Sequence, residues 1–433
     1  MKIVFLLLGL VCFSFANVLT WESLIENIDK EPAMQAAAKK QSAIQSTSNT
    51  KLWNSLEFQY KLNGFGFMEH GFELKLKPKD FGEGSSTKNY WNAQKKYQQV
   101  QANFEKSYLV YDRFERALRY FIRSKIQNIH KEMLSVNKDR LEVLHVKSGN
   151  ETFNFNDLVA ALETDAALEA ELIADSNALQ DIVLKLKSWV DFDSIALDSS
   201  YLPTIEKIET FLKQTKFSED SYLAIAMAKE KWNVYKQKFE QEQVGSNRII
   251  TSIGLGYKLS FGSYEYDSVK TGNYTYDYKN QVAVAEKEWK IIKKPDDVRT
   301  RDKFYASISL RLPFFGTDGG DETKRQIDVL EAESDYLDDK RDLLQKVARL
   351  KEETFALIAQ RNIQKKFQEK VNAGGLFEEF AERSGSDPLL LLRARDVSLE
   401  AELKAVKLEY EIYYRFFILL DYVGFFASDK IFF

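Results

Sequence analysis

The chain has 433 residues, 44% of them hydrophobic, with 61 Lys and Arg against 65 Asp and Glu. The net charge of -4 gives no basic excess for a polyanion, so the composition disfavours nucleic acid as a partner. With 6 Pro and 19 Gly, the chain is not of a disordered or collagen-like type. No internal run approaches the roughly 20 apolar residues of a membrane-spanning helix, so any membrane insertion must use strands.

The first sixteen residues have the pattern of a secretory signal peptide. A charged start precedes an apolar stretch from Ile3 to Phe13, and small residues follow up to the expected cleavage site after Ala16. A retained anchor helix and a lipoprotein site at Cys12 are the alternatives; Val11 is larger than a lipoprotein site prefers. Because Cys12 is the one cysteine of the sequence, cleavage would leave a mature chain without thiol chemistry.

Four segments alternate polar and apolar residues with period two, which predicts strands at about 54–63, 71–77, 248–262 and 303–312. The short loop after the first strand predicts a hairpin, and the third and fourth strands are expected to pair across a longer loop. The alternative is a soluble sheet packed against helices on one face. If the strands instead span a membrane, four are too few to close a conducting barrel, and three copies of the chain would supply twelve.

Each predicted hairpin is followed by a long helical pattern, at about 88–147 and 321–382, and then by a returning helix, at about 157–189 and 389–422. A proline and a glycine mark both strand-to-helix turns: Pro78 with Gly82, and Pro313 with Gly316. The even spacing of these landmarks predicts an internal duplication. The expected organisation is a signal peptide (1–16), a first repeat (17–189), a linker (190–217), a second repeat (218–425) and a tail (426–433).

These landmarks together resemble the TolC-like outer-membrane efflux proteins of Gram-negative bacteria. The resemblance covers nearly all of the mature chain. It is carried by Asn27-Ile28-Asp29-Lys30-Glu31-Pro32-Ala33-Met34, by the two strand-to-helix turns, by Phe315-Gly316-Thr317-Asp318-Gly319-Gly320, and by both helical tips. Glu31 ahead of Pro32 is a departure, since the family usually has Asn there.

The resemblance implies an α+β membrane protein built from two tandem helix-strand-strand-helix repeats. Four transmembrane strands per chain would join those of two other copies in a twelve-stranded barrel in the outer membrane. The long helices would form a coiled-coil tunnel in the periplasm. A periplasmic adaptor and an inner-membrane pump are the implied partners, besides the other copies and outer-membrane lipid.

The family's adaptor contacts lie at the helical tips, so the resemblance assigns them here to a set of tip residues. These are Gly149, Asn150, Asp157, Gly385, Ser386, Asp387 and Leu389. Helix capping is the alternative role for the Asn and Asp residues among them. Where family members carry an acidic constriction, this chain has Leu391 and Ala394, which suggests an apolar periplasmic gate. Whether Asp396 or Glu400 replaces the missing carboxylates stays open.

Signals for an enzyme are poor, and no cofactor or metal is expected. The histidines His70, His130 and His145 have no partner at metal-ligand or triad spacing, and His130 and His145 are expected on helix surfaces. Gly254 and Gly256 are interpreted as strand positions facing a crowded lumen. The expected function is a passive exit duct for efflux or type I secretion. A secreted periplasmic coiled-coil scaffold without channel activity is the main alternative, and a periplasmic hydrolase is a third.

The 262–303 loop is open to several roles: an external lid, a strand extension or a phage-accessible surface.

Overall fold

The computed structural model describes residues 17–47, 53–63, 69–79, 82–149, 153–215, 219–246, 250–260, 265–293, 301–311, 319–373 and 388–428. The expected signal peptide lies outside these ranges, as do Asn150, Pro313, Gly316 and the tip residues Gly385, Ser386 and Asp387.

The described residues contain seven α-helices and eight strands. The helices are α1 (Pro32–Thr47), α2 (Glu83–Lys147), α3 (Phe155–Lys187), α4 (Ile205–Gln214), α5 (Leu223–Ser246), α6 (Gly319–Ala373) and α7 (Pro388–Tyr422). The strands are β1 (Val18–Leu19), β2 (Trp53–Asn63), β3 (Glu69–Pro78), β4 (Ser194–Ile195), β5 (Ile250–Ser260), β6 (Glu265–Asp277), β7 (Val282–Lys293) and β8 (Arg301–Leu310). No helix among the described residues is both long enough and apolar enough to cross a membrane.

The chain divides into two compact units. The sheet unit comprises described residues within 43–95 and 232–331, and the helical unit comprises those within 1–42, 96–231 and 332–433.

The sheet unit contains a four-stranded antiparallel sheet in the order β2-β3-β5-β8. Phe58, Leu74, Leu255 and Ala306 lie directly opposite one another across the four strands. Both predicted pairs are therefore confirmed, and β3 and β5 join the two halves of the chain. The outer strands β2 and β8 pair on one side only among the described residues.

The long loop between the third and fourth predicted strands contains a second sheet. Its two strands, β6 and β7, are antiparallel and pair with each other. Gly272 has a φ of 84° beside the register shift between Lys270 and Tyr274, which is the backbone conformation that a bulge of this kind requires. The turn between the strands is closed by Asp277, whose carboxylate accepts hydrogen bonds from the backbone of Lys279 and Asn280.

The helical unit has one large core shared by its helices and its N-terminal segment. Trp21 stacks on Tyr201 with ring centroids 5.8 Å apart, and Phe114 of α2 packs on Phe417 of α7 and on Phe426. The two-residue strands β1 and β4 pair in parallel and attach the N-terminus to the segment that follows α3. Apolar residues at helical spacing thus bury their stripe within one chain.

Candidate channel wall, tips and gate

One face of the four-stranded sheet is apolar and exposed to the surroundings. Its exposed members come from all four strands: Leu56, Phe58, Tyr60, Leu62, Phe72, Leu74, Ile253, Leu255, Phe304, Ile308 and Leu310. Leu255, at the centre of the sheet, keeps 66% of its surface exposed. A soluble sheet would cover such a face, so this arrangement favours an apolar surrounding for the sheet.

The opposite face of the sheet is polar and shielded. Glu73 of β3 is buried there and forms an ion pair with Lys61 of β2 at 2.9 Å. Lys75 Nζ lies 3.7 Å from the same carboxylate, and Ser307 of β8 donates a hydrogen bond of 3.0 Å to its other oxygen. A buried carboxylate is tolerated only with such partners, and here three of the four strands provide them.

Gly254 and Gly256 of β5 lie on this polar face. A Cβ at Gly254 would collide with Ser307 and Glu73, and one at Gly256 would collide with the ring of Tyr305. Close approach of neighbouring side chains therefore requires glycine at both positions. The crowding predicted around these two strand glycines is confirmed, and that their face lines a lumen stays a prediction.

The first strand-to-helix turn is built as its residues suggest. Pro78 is the last residue of β3, where a missing backbone donor ends the ladder. Gly82 adopts a φ of 85° directly before α2 begins at Glu83. That conformation favours glycine, so the turn directs the chain from the sheet into the helix. The equivalent residues of the second repeat lie outside the described residues.

The first helical tip joins α2 to α3. Gly149 follows the end of α2, and Asp157 is exposed in the first turn of α3. The helix cap is a residue that the sequence did not single out: the Asn154 side chain accepts a hydrogen bond of 3.2 Å from the Asn156 backbone. Val146 and Phe155 are exposed on the two sides of this turn, so the tip presents apolar surface.

At the second tip, α7 begins with Pro388, a residue suited to the first helical position. Leu389 is half-buried on its first turn. The two predicted gate residues differ: Leu391 is 42% exposed, whereas Ala394 is 8% exposed and packs within its own chain. Burial raises the pKa of the nearby Asp396 carboxyl, Glu400 raises it further, and Arg140 opposes the rise.

Buried polar contacts hold the helical unit together, and sequence reasoning missed them. Arg113 of α2 is 1% exposed and donates hydrogen bonds to the backbone carbonyls of Leu24 (3.0 Å) and Glu26 (2.9 Å). Its other terminal nitrogen lies 2.5 Å from the Glu31 carboxylate. One side chain therefore fixes the N-terminal segment on α2. The role of Arg113 could not be predicted, because α2 has many charged residues and the sequence does not tell which of them is buried.

The prediction for His130 is wrong. This side chain is 5% exposed, and its Nδ1 lies 2.7 Å from Oδ2 of the fully buried Asp175 on α3. Arg123 is ion-paired with the other oxygen of Asp175 at 2.6 Å. The packing of α3 on α2 buries the imidazole, and helical spacing alone does not reveal which face a second helix covers. His145 is exposed, as predicted.

Within the described part of the chain, one cluster has metal-ligand chemistry. His130, Glu171 and Asp175 place candidate ligand atoms within 4.8 Å of one another. The guanidinium of Arg123 contacts Asp175, so a cation placed there would meet an existing positive charge. We therefore interpret the cluster as an ion-pair network that joins α2 to α3.

No family model matches the sequence, and no curated protein matches it. Solved structures do match. The outer membrane protein VceC from Vibrio cholerae is 13% identical, with a TM-score of 0.62 over 93% of this chain and 96% of its own. The open state of the Neisseria gonorrhoeae MtrE outer membrane channel is 12% identical, with a TM-score of 0.63 over 93% and 88%. The Campylobacter jejuni CmeC outer membrane channel is 12% identical, with a TM-score of 0.58 over 93% and 84%. The resemblance inferred from the sequence is thereby confirmed for the fold: the chain has the fold of the TolC-like outer-membrane channel proteins.

Proposed function

We propose that this protein is an outer-membrane channel of a Gram-negative bacterium that conducts substrates passively from the periplasm to the exterior. The carrying observation is the sheet, which exposes an apolar face around Leu255 and shields a polar face around Glu73. Closed into a barrel, such a sheet directs the first face to lipid and the second to an aqueous lumen. No bond is made or broken in this function.

The working unit in this proposal is a homotrimer. One copy has two outer strands, β2 and β8, that lack a second partner among the described strands. Lipid cannot satisfy the backbone groups of an open edge, so the sheet must close through other copies. Three copies of a four-stranded sheet give a barrel of twelve strands, within the range of known membrane barrels.

The helices are proposed to line a periplasmic tunnel that docks to an adaptor and an inner-membrane pump. Exposed apolar residues at the first tip, Val146 and Phe155, support a contact surface beside Gly149, Asn150 and Asp157. The second tip would contribute Gly385, Ser386, Asp387 and Leu389. Leu391 would close the resting tunnel by apolar contact, and Ala394 would support it from behind by packing.

A pair of matched substitutions tests membrane insertion of the sheet. Leu255→Lys places a charge on the apolar face of the sheet, and Ile173→Lys places one on α3. The two substitutions are matched because Leu255 is 66% exposed and Ile173 is 64% exposed. In the proposed barrel, a lysine at the mid-plane costs about 2–4 kcal/mol. We therefore expect Leu255→Lys to reduce outer-membrane assembly, measured by membrane fractionation, while Ile173→Lys assembles normally.

The alternative function, a secreted periplasmic scaffold, predicts the opposite. A soluble sheet would tolerate both lysines, and the protein would be recovered without detergent as a form that does not conduct. The proposed channel would instead require detergent, run as a trimer and give single-channel currents in planar bilayers. Equal tolerance of both lysines together with absent conductance would rule out the channel.

A further inference from the structure

The polar face of the four-stranded sheet carries an excess of lysine. The strand register shows which residues share the face of Glu73, because residues two apart in a strand point the same way. Over 55–61, 69–77, 252–258 and 303–309, the charged residues of that face are Glu57, Lys61, Glu69, Glu73, Lys75, Lys77, Lys258 and Lys303. Five lysines against three glutamates give this face a net charge of +2 per copy.

Three of these lysines form one row across the sheet. Lys61 of β2 lies opposite Gly71 of β3, which lies opposite Lys258 of β5. Lys258 in turn lies opposite Lys303 of β8. We call Lys61, Lys258 and Lys303 the lysine row. Like charges that lie directly opposite each other repel, so the row is unfavourable unless anions are near it.

Carboxylates of the same chain compensate only part of the lysine row. Lys258 forms an ion pair of 2.7 Å with Glu69, and Lys61 forms one of 2.9 Å with Glu73. Glu73 is shared with a further lysine, Lys75, at 3.7 Å. Lys303 is exposed and forms no ion pair with any described residue. Within one described chain, the row therefore keeps a net positive charge.

The lysine row lies toward the end of the sheet that is away from the helices. β3 leads into α2 at its Pro78 end, and β8 leads toward α6 at its Leu310 end. The row crosses these strands at Gly71 and Lys303, so about seven residues, or roughly 23 Å, separate it from those ends. In the proposed channel the helices belong to the periplasmic side, which places the row near the outer exit.

Closure of the sheet through three copies would concentrate this charge around one aqueous path. A net charge of +2 per copy becomes +6 for three copies, and the lysine row contributes to it from every copy. A pore lined by one sign of charge raises the local concentration of the opposite ion. Lysine and arginine rings are the usual lining of pores that select anions and phosphates.

We propose that the lysine row makes the exit of this channel selective for anionic solutes, such as carboxylates and phosphate esters. This inference rests on the proposed trimeric channel. An anion that passes the row relieves the repulsion between Lys258 and Lys303, whereas a cation adds to it. Exposed lysine side chains bind such an anion weakly enough to release it, as conduction requires.

Ion selectivity in planar bilayers tests this inference. All channels carry Leu391→Ser, so that the proposed periplasmic gate does not set the ion preference, and the channel with Leu391→Ser alone is the parent. The zero-current potential is measured under a KCl gradient, because K⁺ and Cl⁻ have nearly equal mobilities in water. We expect the parent channel to favour Cl⁻ over K⁺ several-fold.

Substitutions at Lys303 assign the selectivity to the lysine row. Lys303→Glu changes the charge by -2 per copy, so the net charge of the polar face falls from +6 to 0 for three copies. We expect the permeability ratio of Cl⁻ to K⁺ to fall to about 1, and Lys303→Gln to give an intermediate ratio. Lys207→Glu is the matched control, because Lys207 is exposed on the short helix α4, outside the sheet and the long helices. It should leave the ratio unchanged.

Block by tripolyphosphate gives a second measurement of the same row. Added on the exit side, this polyanion should block the parent channel at a several-fold lower concentration than it blocks the Lys303→Glu channel. Block of equal strength in the two channels would overturn the inference.

The outcomes separate failure of this inference from failure of the channel. A preference of the parent channel for K⁺, or a Cl⁻ preference that Lys303→Glu leaves unchanged, would overturn anion selection by the lysine row and leave the channel standing. A protein that gives no current in any of these forms would overturn the proposed channel itself.

Discussion

At the scale of single residues, a few buried ionisable groups connect the helices of the helical unit. Asp421, at the end of α7, accepts a hydrogen bond of 2.7 Å from the Ser107 hydroxyl of α2. Burial raises the pKa of the Asp421 carboxyl, and the Ser107 hydrogen bond opposes the rise. Burial also raises the pKa of Tyr413 to about 12, and its hydroxyl donates to the Pro203 carbonyl. The ionised form of Asp421 therefore weakens the folded state.

The loss of folding stability on ionisation of Asp421 predicts that stability depends on pH. Because the folded pKa of Asp421 lies above the unfolded value of 3.8, its effect on stability is absent below pH 3.8 and grows as pH rises through the folded pKa. We expect Asp421→Asn, which keeps an acceptor for Ser107, to raise the midpoint of thermal unfolding at pH 7. The gain should shrink as the pH is lowered toward 4. The exposed Asp139→Asn on α2 is the control and should show no such trend; a gain that persists unchanged at low pH would contradict the prediction.

At the scale of elements, the sequence predicts the strands well because a period of two is visible in the sequence itself. In the middle of β5 and β8, Leu255 and Ile308 are exposed, whereas Gly254 and Ser307 are buried or half-buried, as the alternation indicates. The sequence does not predict the β6–β7 hairpin, since both faces of its strands include exposed side chains and no buried side produces a hydrophobic pattern. The burial of His130 was missed because it depends on which face of α2 the helix α3 covers.

The burial of Arg113 likewise depends on another element, the N-terminal segment that packs on α2, and this gives a further prediction. Arg113→Met leaves the carbonyls of Leu24 and Glu26 and the carboxylate of Glu31 without this donor. Removal of one member of a buried ion pair costs about 3–5 kcal/mol. We expect a lower stability in chemical denaturation and faster proteolysis of the N-terminal segment. Arg349→Met, at a residue exposed on α6, should change stability by less than about 0.5 kcal/mol. Equal effects of the two substitutions would refute this anchoring role.

At the scale of the whole molecule, the proposed channel has an apolar gate near Leu391. This gate cannot be read from one sequence, because it depends on contacts between copies. The candidate site could be predicted only as positions along the chain. The resemblance to a family predicted the tip and gate residues, whereas the hydrophobic pattern predicted the strands of the channel wall.

The inner closure predicts a leak when its apolar contact is lost. Leu391→Ser should raise the conductance of the resting channel several-fold in planar bilayers, because a hydrophobic constriction closes by excluding water. Ile363→Ser is the matched control, since Ile363 is also an exposed apolar residue on a long helix. An unchanged conductance for Leu391→Ser would remove Leu391 from the gate.

The seam between β3 and β5 has a consequence for how the protein is made. It joins residues far apart in the chain, such as Leu76 with Ile253. At a synthesis rate of roughly 5–20 residues per second, β5 is synthesised about 10–40 s after β3, so the first hairpin lacks its neighbouring strand during that time. During that time its bare apolar ribbon is an aggregation hazard. Export of this protein should therefore depend on a holding chaperone that protects the early strands until the later ones arrive.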